Sequence, residues 1–528
     1  MTLDSNIMIH ANPPGQAKLE VSTVTAAVAK DASAALEGML TYVGEMGRYQ
    51  RLLFVMMLPF GFAWAFGYFG QMFLTATPQH HWCRVPELAG LDMELRRNLS
   101  IPRASTGEGY DTCLMYDADW GQVLATLTPP DPGTPTVKCR HGWEFQLDDI
   151  PYPTIVSERE WVCDKANRVP WSQTISFIGT IVGGMIMGRI ADKFGRLPAL
   201  ICANTLGFFG SLGTTFTDGF WDFVICRFLV GMSIDTCFIM LYIIIMEYVG
   251  TSHRTWVANL SIAMFFGGGC VLLPFMALWI SNWRTLSIVM SIPSLLVLLA
   301  PFTIPESTRW YVSRGKVEKA VKMLHRFEKV NNTKIPKDAL DEFVTVATAA
   351  QESGDSIKIL FKIPSLRTML LLLMSTFMAI AVTFDILIRL SETLGGIPSV
   401  ALAIAARFFN NMAYNVIIQW TPELLPTTVR ATGASSVHVS AYFTVMLSPF
   451  IVYSERLWES LPLIIAAVLG VLGGLIALLL PETNGRAIPQ TITDGENLAN
   501  TRRRIGCSKK RDDDTNSNEN GYKTDTRF

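Results

Sequence analysis

The stretch GRIADKFGR, Gly188 to Arg196, sets Arg189, Asp192, Lys193 and Arg196 between two long uncharged runs, Trp171 to Gly188 and Leu197 to Thr217. Each run is long enough to cross a hydrocarbon core of about 30 Å as a helix. The stretch reads as a tight basic turn joining two membrane helices.

The rest of the chain agrees. Of its 528 residues half are apolar and only 17% are charged, with a mean hydropathy of +0.30, which places it among all-α polytopic membrane proteins. A net charge of −1 gives no reason to expect nucleic acid. Working outward from the turn, spans are expected at Leu52 to Gln79, Trp171 to Gly188, Leu197 to Thr217, Phe220 to Met246, Thr255 to Trp283 and Thr285 to Pro305. These form a six-helix N-terminal half, residues 52–305. After Arg367 only four more follow: Thr368 to about Leu390, Pro398 to Trp420, Ala431 to Ser454 and Leu461 to Pro481. The second half, 368–481, is thus shortened.

Between the first two spans lies a polar loop, 77–170, with 9 Lys and Arg against 14 Asp and Glu. It holds Cys83, Cys113, Cys139 and Cys163, expected as two disulfides with three pairings open, and hence an oxidising exterior. The sequon at Asn98 fits a glycosylated outer face. The segment 306–367 carries 12 Lys and Arg against 8 Asp and Glu. Within it Val317, Ala320, Val321, Leu324 and Phe327 recur at helical spacing, which predicts an amphipathic helix. Basic short loops mark the cytoplasmic side, so both termini are expected inside and the Cys-bearing loop outside. Residues 1–51 form a cytoplasmic segment without a cleavable signal, and 482–528 a polar tail expected to be disordered.

Several motifs in order resemble one family. GRIADKFGR resembles the loop signature of the major facilitator superfamily. RFLVG at 227–231, PESTRWYVSRGKVEKA at 305–320, TPELLPTTVR at 421–430 and LPETNGRAIPQTITDGENL at 480–498 are similar to the organic cation and anion transporters within it. The resemblance implies a twelve-helix bundle in two halves. This chain has ten, and a block of about two helices is missing between Thr368 and Pro398. The resemblance also implies a charge network that sets the balance of conformations: Gly188, Asp192, Gly195, Arg196, Arg227, Glu247, Arg254, Glu306, Arg309, Glu423 and Arg430. Tyr442 falls where cation transporters tend to have Asp and anion transporters Arg.

Among residues that could carry chemistry, Asp235 is the acidic residue deep inside an apolar span of the first half, followed on the same helix by Phe238 and Tyr242. An ionisable group there is by default a cavity or partner residue. A carboxylate beside aromatic faces suits an ammonium ligand, and the other reading is a structural pair with an arginine of another helix. Arg407, Asn411 and Asn415 form a polar stripe, read either as cavity lining, with Arg407 able to hold Asp235, or as helix glue. Asp385 and Arg389 read as a local ion pair at the membrane interface. His438 reads as a proton relay or as a structural histidine.

The expected function is a plasma-membrane, multi-pass transporter of small organic ions, polyspecific and facilitative, working by alternating access. Asp235, Phe238, Tyr242, Arg407, Asn411 and Tyr442 would contact the substrate, with cations or zwitterions favoured. The alternatives are an organic anion exchanger, from Arg227 and Arg407, or a truncated isoform that does not transport. No enzyme motif, metal site or cofactor is read, and the oligomeric state is left open. The expected partners are the small organic ion and the lipid bilayer.

Overall fold

A chain segment in lipid must satisfy its backbone polar groups internally, so each apolar run becomes a helix. The computed structural model describes residues 35–103, 110–349, 361–390, 397–426, 429–458, 460–483, 489 and 492–500. Among them the long helices are α1 (Arg48–Leu74), α2 (Arg168–Phe194), α3 (Arg196–Thr214), α4 (Phe220–Tyr248), α5 (Ser252–Ile280) and α6 (Trp283–Thr303) in the first half. The second half contains α7 (Pro364–Leu390), α8 (Ile397–Leu424), α9 (Arg430–Val445, continued by Ser448–Tyr453) and α10 (Leu461–Ala477). Nine are long and apolar enough to cross a membrane, and α10 is a shorter apolar helix. Residues 391–396, between α7 and α8, lie outside the described residues, as does the tail beyond 500.

The first half is drawn together by a glycine seam between α2 and α4. A Cβ at Gly231 would overlap the Ser176 carbonyl, and one at Gly179 or Gly183 would overlap the α4 backbone at Phe228 or Met232. Only hydrogen at these positions lets the two backbones meet, the small-residue logic of membrane helix packing. A second close approach lies in α5, where Gly269 faces Ala65 of α1. Its neighbourhood includes a π-helical turn, Ile262–Gly267, that turns Phe265 inward to 1% exposure. The halves meet along α2 and α9: the Thr174 hydroxyl donates to Met446 O at 2.8 Å, and Trp171 packs edge-on to Phe450 at 5.1 Å.

Outside the bundle the structure adds detail. The Cys-bearing loop is a small folded unit with two two-stranded antiparallel sheets, His81–Cys83 on Trp143–Phe145 and Leu114–Tyr116 on Thr136–Lys138. Disulfides join Cys83 to Cys139 and Cys113 to Cys163. Asn98 is exposed on the helix Met93–Ser100, and its Oδ1 accepts from the Tyr110 hydroxyl at 2.5 Å. At the opposite end three helices, Thr308–Ser313, Val317–Asn331 and Lys337–Ala349, stand where one was expected. In the second, Val317, Ala320, Leu324 and Phe327 are buried.

The N-terminal segment departs most from its sequence reading. Residues 35–43 are helical, and Leu36, Met39, Leu40 and Val43 are almost fully buried. Leu36, Met39 and Val43 join the core formed by Tyr248, Phe327 and Phe343. The apolar stripe 36, 39, 40, 43 has helical spacing, masked in the sequence by the surrounding alanines and polar residues.

The seam predicts a sharp contrast between two glycines. Gly231→Ala is expected to cost about 1–3 kcal/mol through overpacking, whereas Gly188→Ala, with open space around its Cα, is expected to be tolerated. Thermal unfolding in detergent, read by fluorescence-detected size exclusion, measures the difference. Equal midpoints for both variants would contradict the seam.

Candidate functional site

Helices α1, α4, α5, α7, α8 and α9 enclose a cavity of about 100 Å³. Its wall is aromatic because each helix turns large rings inward: Trp64 and Tyr68 from α1, Phe238 from α4, Phe377 and Phe384 from α7, Tyr414 from α8. Trp64 stacks on Phe238 with centroids 4.1 Å apart, and Tyr414 packs against Phe377 at 5.2 Å and Phe384 at 5.7 Å. The polar lining consists of Tyr68, Asn411, Tyr414, Asn415, His438 and Tyr442, with Trp64 contributing an indole N–H.

Behind this wall sits Asp235, 4% exposed. The Tyr442 hydroxyl donates to Asp235 Oδ1 at 2.9 Å, and His438 Nδ1 lies 3.4 Å from the same oxygen. Both contacts cross from the first half to the second. Asp235 is therefore one residue removed from the cavity surface, reached through Tyr442 and His438. It is not paired with Arg407: that guanidinium donates to the carbonyls of Leu387 and Ile388 at the end of α7, at 3.1 and 2.7 Å. Asn411 and Asn415, one and two turns on from Arg407, do line the cavity. Tyr242 stacks on Phe238 at 5.8 Å but lies outside the lining, as does Arg407.

Toward the Cys-bearing end a second, larger space of about 580 Å³ opens, lined in part by Gln79, Asp149, Gln173, Arg389 and Arg456. The partition between the two spaces is Asp385 with Arg389. Their 2.6 Å ion pair is buried, at 1% and 8% exposure, where the sequence placed it at the membrane interface. The reason is its partners. Tyr68 of α1 donates to Asp385 at 3.0 Å, Ser448 of α9 donates to its other oxygen, and Arg389 donates to Gln173 of α2 at 2.5 Å. Tyr68 belongs to the inner lining, while Gln173 and Arg389 belong to the outer.

Comparison with known proteins follows the same lines. The family model described as sugar (and other) transporter matches residues 152–378. The carcinine transporter of Drosophila melanogaster is 29% identical, over 87% of this chain and 79% of its own length. Solute carrier family 22 member 3 of Mus musculus is also 29% identical, over 88% of this chain and 96% of its own. Among solved structures, the proton:xylose symporter XylE bound to 6-bromo-6-deoxy-D-glucose superimposes with a TM-score of 0.50 at 15% identity, covering 85% of this chain and 98% of that one. Along most of its length the chain is similar to transporters of the solute carrier type, and it has the fold of a major facilitator superfamily transporter. It is a membrane transporter homologue of the organic ion type. The match to the carcinine transporter runs over 539 positions although it takes in 87% of 528 residues, so that relative carries internal residues that this chain lacks.

The residues of the expected charge network at the tail end bond largely within the chain segments on either side of α2 and α3. Glu306 accepts from the backbone N–H groups of Arg196, Leu197 and Ser307 at 2.8, 3.1 and 2.8 Å. Burial pushes its carboxyl up, and these donors pull it back. Gly195, at φ +120°, ends α2 where a Cβ would overlap that carboxylate. Asp192 holds Arg196 at 3.4 Å, and its carbonyl accepts from Trp310 Nε1 at 2.9 Å and Arg314 at 2.6 Å. Glu247 accepts from the Ser307 hydroxyl, not from Arg254.

Arg254 and Arg309 instead converge on Glu37, at 3.3 and 2.7 Å. Burial works against ionisation of Glu37, but the Arg309 hydrogen bond and both guanidinium charges outweigh it and hold the carboxyl below its ordinary range. Arg227 is 2% exposed and donates to Thr214 Oγ1 at 2.8 Å, between α4 and α3. Glu423 accepts from Thr483 at 2.8 Å, and the Arg430 side chain lies outside the described residues. GRIADKFGR is thus tied to 306–314, the segment that directly follows the first half.

The residues missed in the sequence are Trp64, Tyr68, Gln173, Phe377, Phe384, Tyr414 and Glu37. Trp64 and Tyr68 at i, i+4, and Phe377 and Phe384 at i, i+7, did carry a periodic aromatic signal.

Two outcomes are expected. Asp385→Asn leaves Arg389 buried beside a neutral amide, a loss of about 3–5 kcal/mol for a broken buried pair; the double variant with Arg389→Leu recovers much of it. Thermal midpoints in detergent decide, and a double variant no better than the single one would contradict the pair's role. For Glu37, a depressed folded pKa means its stabilisation is complete above the ordinary glutamate range and disappears as pH falls through the folded value. Hydrogen exchange of residues 35–43, corrected for intrinsic rates, should lose protection on that acidic side, and Glu37→Gln should show the loss already at neutral pH.

Proposed function

We propose that this transporter carries small organic cations or zwitterions across the plasma membrane by alternating access, with the Cys-bearing loop outside and both termini inside. The observation that carries this reading is Asp235 behind an aromatic cavity. Among the described residues no lysine or arginine lines that cavity, and an ammonium in an aromatic box gains from both the carboxylate and the ring faces. Phe238 and Trp64 supply the stacked faces, Asn411 and Asn415 the neutral hydrogen-bonding groups, and Tyr442 the hydroxyl between ligand and Asp235. The names of the relatives support the same class: carcinine and beta-alanine transporters of Drosophila melanogaster both handle amino compounds.

Anion exchange has less support. Arg227 and Arg407, on which it rested, direct their donors to Thr214 and to the end of α7, away from the cavity.

Alternating access requires contacts between the halves that form in one state and break in another. Tyr442 with Asp235, and Tyr68 and Gln173 with the Asp385–Arg389 pair, supply such contacts at two depths.

Uptake of radiolabelled tetraethylammonium and of a labelled organic anion, measured in parallel in cells with surface expression verified, tests the reading. Saturable cation uptake is expected, reduced at least tenfold in Asp235→Asn and in Phe238→Ala. Unchanged uptake in Asp235→Asn would remove the carboxylate from the mechanism. Anion uptake alone would favour the exchanger, and no uptake of either would favour the non-transporting isoform.

A further inference from the structure

At the end of the bundle opposite the Cys-bearing loop, a third cavity of about 260 Å³ lies between the start of α7, the end of α10 and a short C-terminal helix, Ile492–Asn500. It shares no lining residue with the two spaces described above. Close packing fixes the short helix there. Gly495 sits so near Pro426 that a Cβ would overlap it, and Leu498 and Ala499 join Leu366, Met369 and Leu370 of α7 in one core.

Helix length sets the depth of this cavity. α7 has 27 residues, about 40 Å at a rise of about 1.5 Å each, against a hydrocarbon core of about 30 Å, so its first turn stands in the headgroup layer. The lining divides along the same boundary. Ser365, Thr368 and Asn500 make a polar rim, while Met369, Leu372 and Leu479 make an apolar wall. Leu371, Leu478 and Leu479 are exposed, so the apolar side continues into the surface that faces lipid. On the rim the Ser365 hydroxyl donates to Asn500 Oδ1 at 2.8 Å, which commits the amide oxygen and leaves the amide N–H groups for another acceptor.

The charge around the rim is positive. Lys362 and Arg367 are exposed, and Arg367 lies three residues on from Pro364 of the lining, hence beside it on the helix surface. From Asn500 the sequence continues Thr501, Arg502, Arg503, Arg504. Against these stand Glu482, which follows Pro481, and Glu496, one turn before Asn500, neither of them in the lining. A polar rim at headgroup depth, an apolar wall open to lipid and a surplus of positive charge together suit an acidic amphiphile.

We propose that this cavity binds an anionic phospholipid of the leaflet opposite the Cys-bearing loop, with its phosphate at Asn500 and Arg367 and an acyl chain along Leu372 and Leu479. Arg502 to Arg504 add the attraction that basic segments next to membrane helices have for anionic headgroups. The bound lipid joins the foot of α7 to α10 and the C-terminal helix, and α7 carries Phe377 and Phe384 of the central cavity. The proposal does not depend on which ion that cavity carries.

Native mass spectrometry of the purified full chain, titrated with palmitoyl-oleoyl phosphatidylglycerol and with phosphatidylcholine of the same chains, tests it. A preference of about tenfold for the anionic lipid is expected. The combined variant Arg367→Gln, Arg502→Gln, Arg503→Gln and Arg504→Gln should lose that preference, and Leu479→Trp, which fills the apolar wall from an exposed position, should bind phosphatidylglycerol about tenfold more weakly. Independently of any variant, a phosphatidylglycerol with a diazirine on its acyl chain, incorporated in phosphatidylcholine vesicles holding the wild-type chain, should label peptides containing Leu372 or Leu479 in preference to the exposed face of α8. Equal affinity for the two lipids would overturn the proposal. Wild-type affinity in Leu479→Trp, or label spread evenly over the exposed helices, would overturn the cavity as the site.

Discussion

Two carboxylates buried in a lipid-spanning bundle cannot be left without partners, and the way these two find them ties the halves of the molecule together. Asp235 belongs to the first half and is satisfied by Tyr442 of the second. Asp385 belongs to the second and, besides its own Arg389, takes Tyr68 of the first. An unpaired buried charge costs several kcal/mol, so neither half can move away without supplying water, a ligand or a proton in exchange. That requirement turns a packing seam into a device with discrete states. The two carboxylates act at different depths: Asp235 beside the aromatic cavity, Asp385 at the partition between that cavity and the wider space at the Cys-bearing end.

Placing Asp235 depends on the backbone packing of the helix turns before it. The close approach of α2 and α4 at Gly179, Gly183 and Gly231 fixes the rotation of α4 about its own axis. Gly231 and Asp235 are one helical turn apart, so they share a face. A side chain at Gly231 would force α4 outward and carry Asp235 away from α9. The aromatic residue one turn further, Phe238, is turned by the same rotation onto Trp64 of α1. Sequence patterning, helix packing and cavity chemistry are therefore one argument along α4.

Much of this was legible in the sequence because lipid imposes a coarse code. Uncharged runs of twenty residues can only be helices, and an acid such as Asp235 inside one of them must have a reason to be there. The four cysteines between α1 and α2 announced a disulfide-bearing loop, although only the fold could choose between pairings. What stayed hidden depends on three-dimensional neighbours. Asp385 and Arg389 are four residues apart, so a local pair was the economical reading; nothing in the sequence says that Tyr68, Gln173 and Ser448 arrive to bury it. Arg407 illustrates the opposite error. An arginine in an apolar helix invites a pairing with the buried Asp235, yet Arg407 donates instead to the carbonyls at the end of α7. Glu37 was invisible because a short amphipathic helix in an alanine-rich segment carries too little apolar signal to stand out.

The second half bears on all of this through α8. Only 6% of its membrane-crossing window is buried, against 61% for α4. The residues left exposed on α8 include Leu402, Ile404, Phe408, Phe409, Met412 and Val416. These are side chains that lipid accepts. The polar residues of the same helix point elsewhere: Asn411 and Asn415 to the cavity, Arg407 to α7. α8 therefore already separates a lipid-compatible face from a cavity face, the partition that a bilayer demands of an outer helix. The cavity draws on α7, α8 and α9 from the second half, so each piece of its wall that this chain supplies comes from a helix that is present. The described helices thus line an aromatic chamber between them, and the Asp235 and Asp385 contacts tie the second half to the first across it.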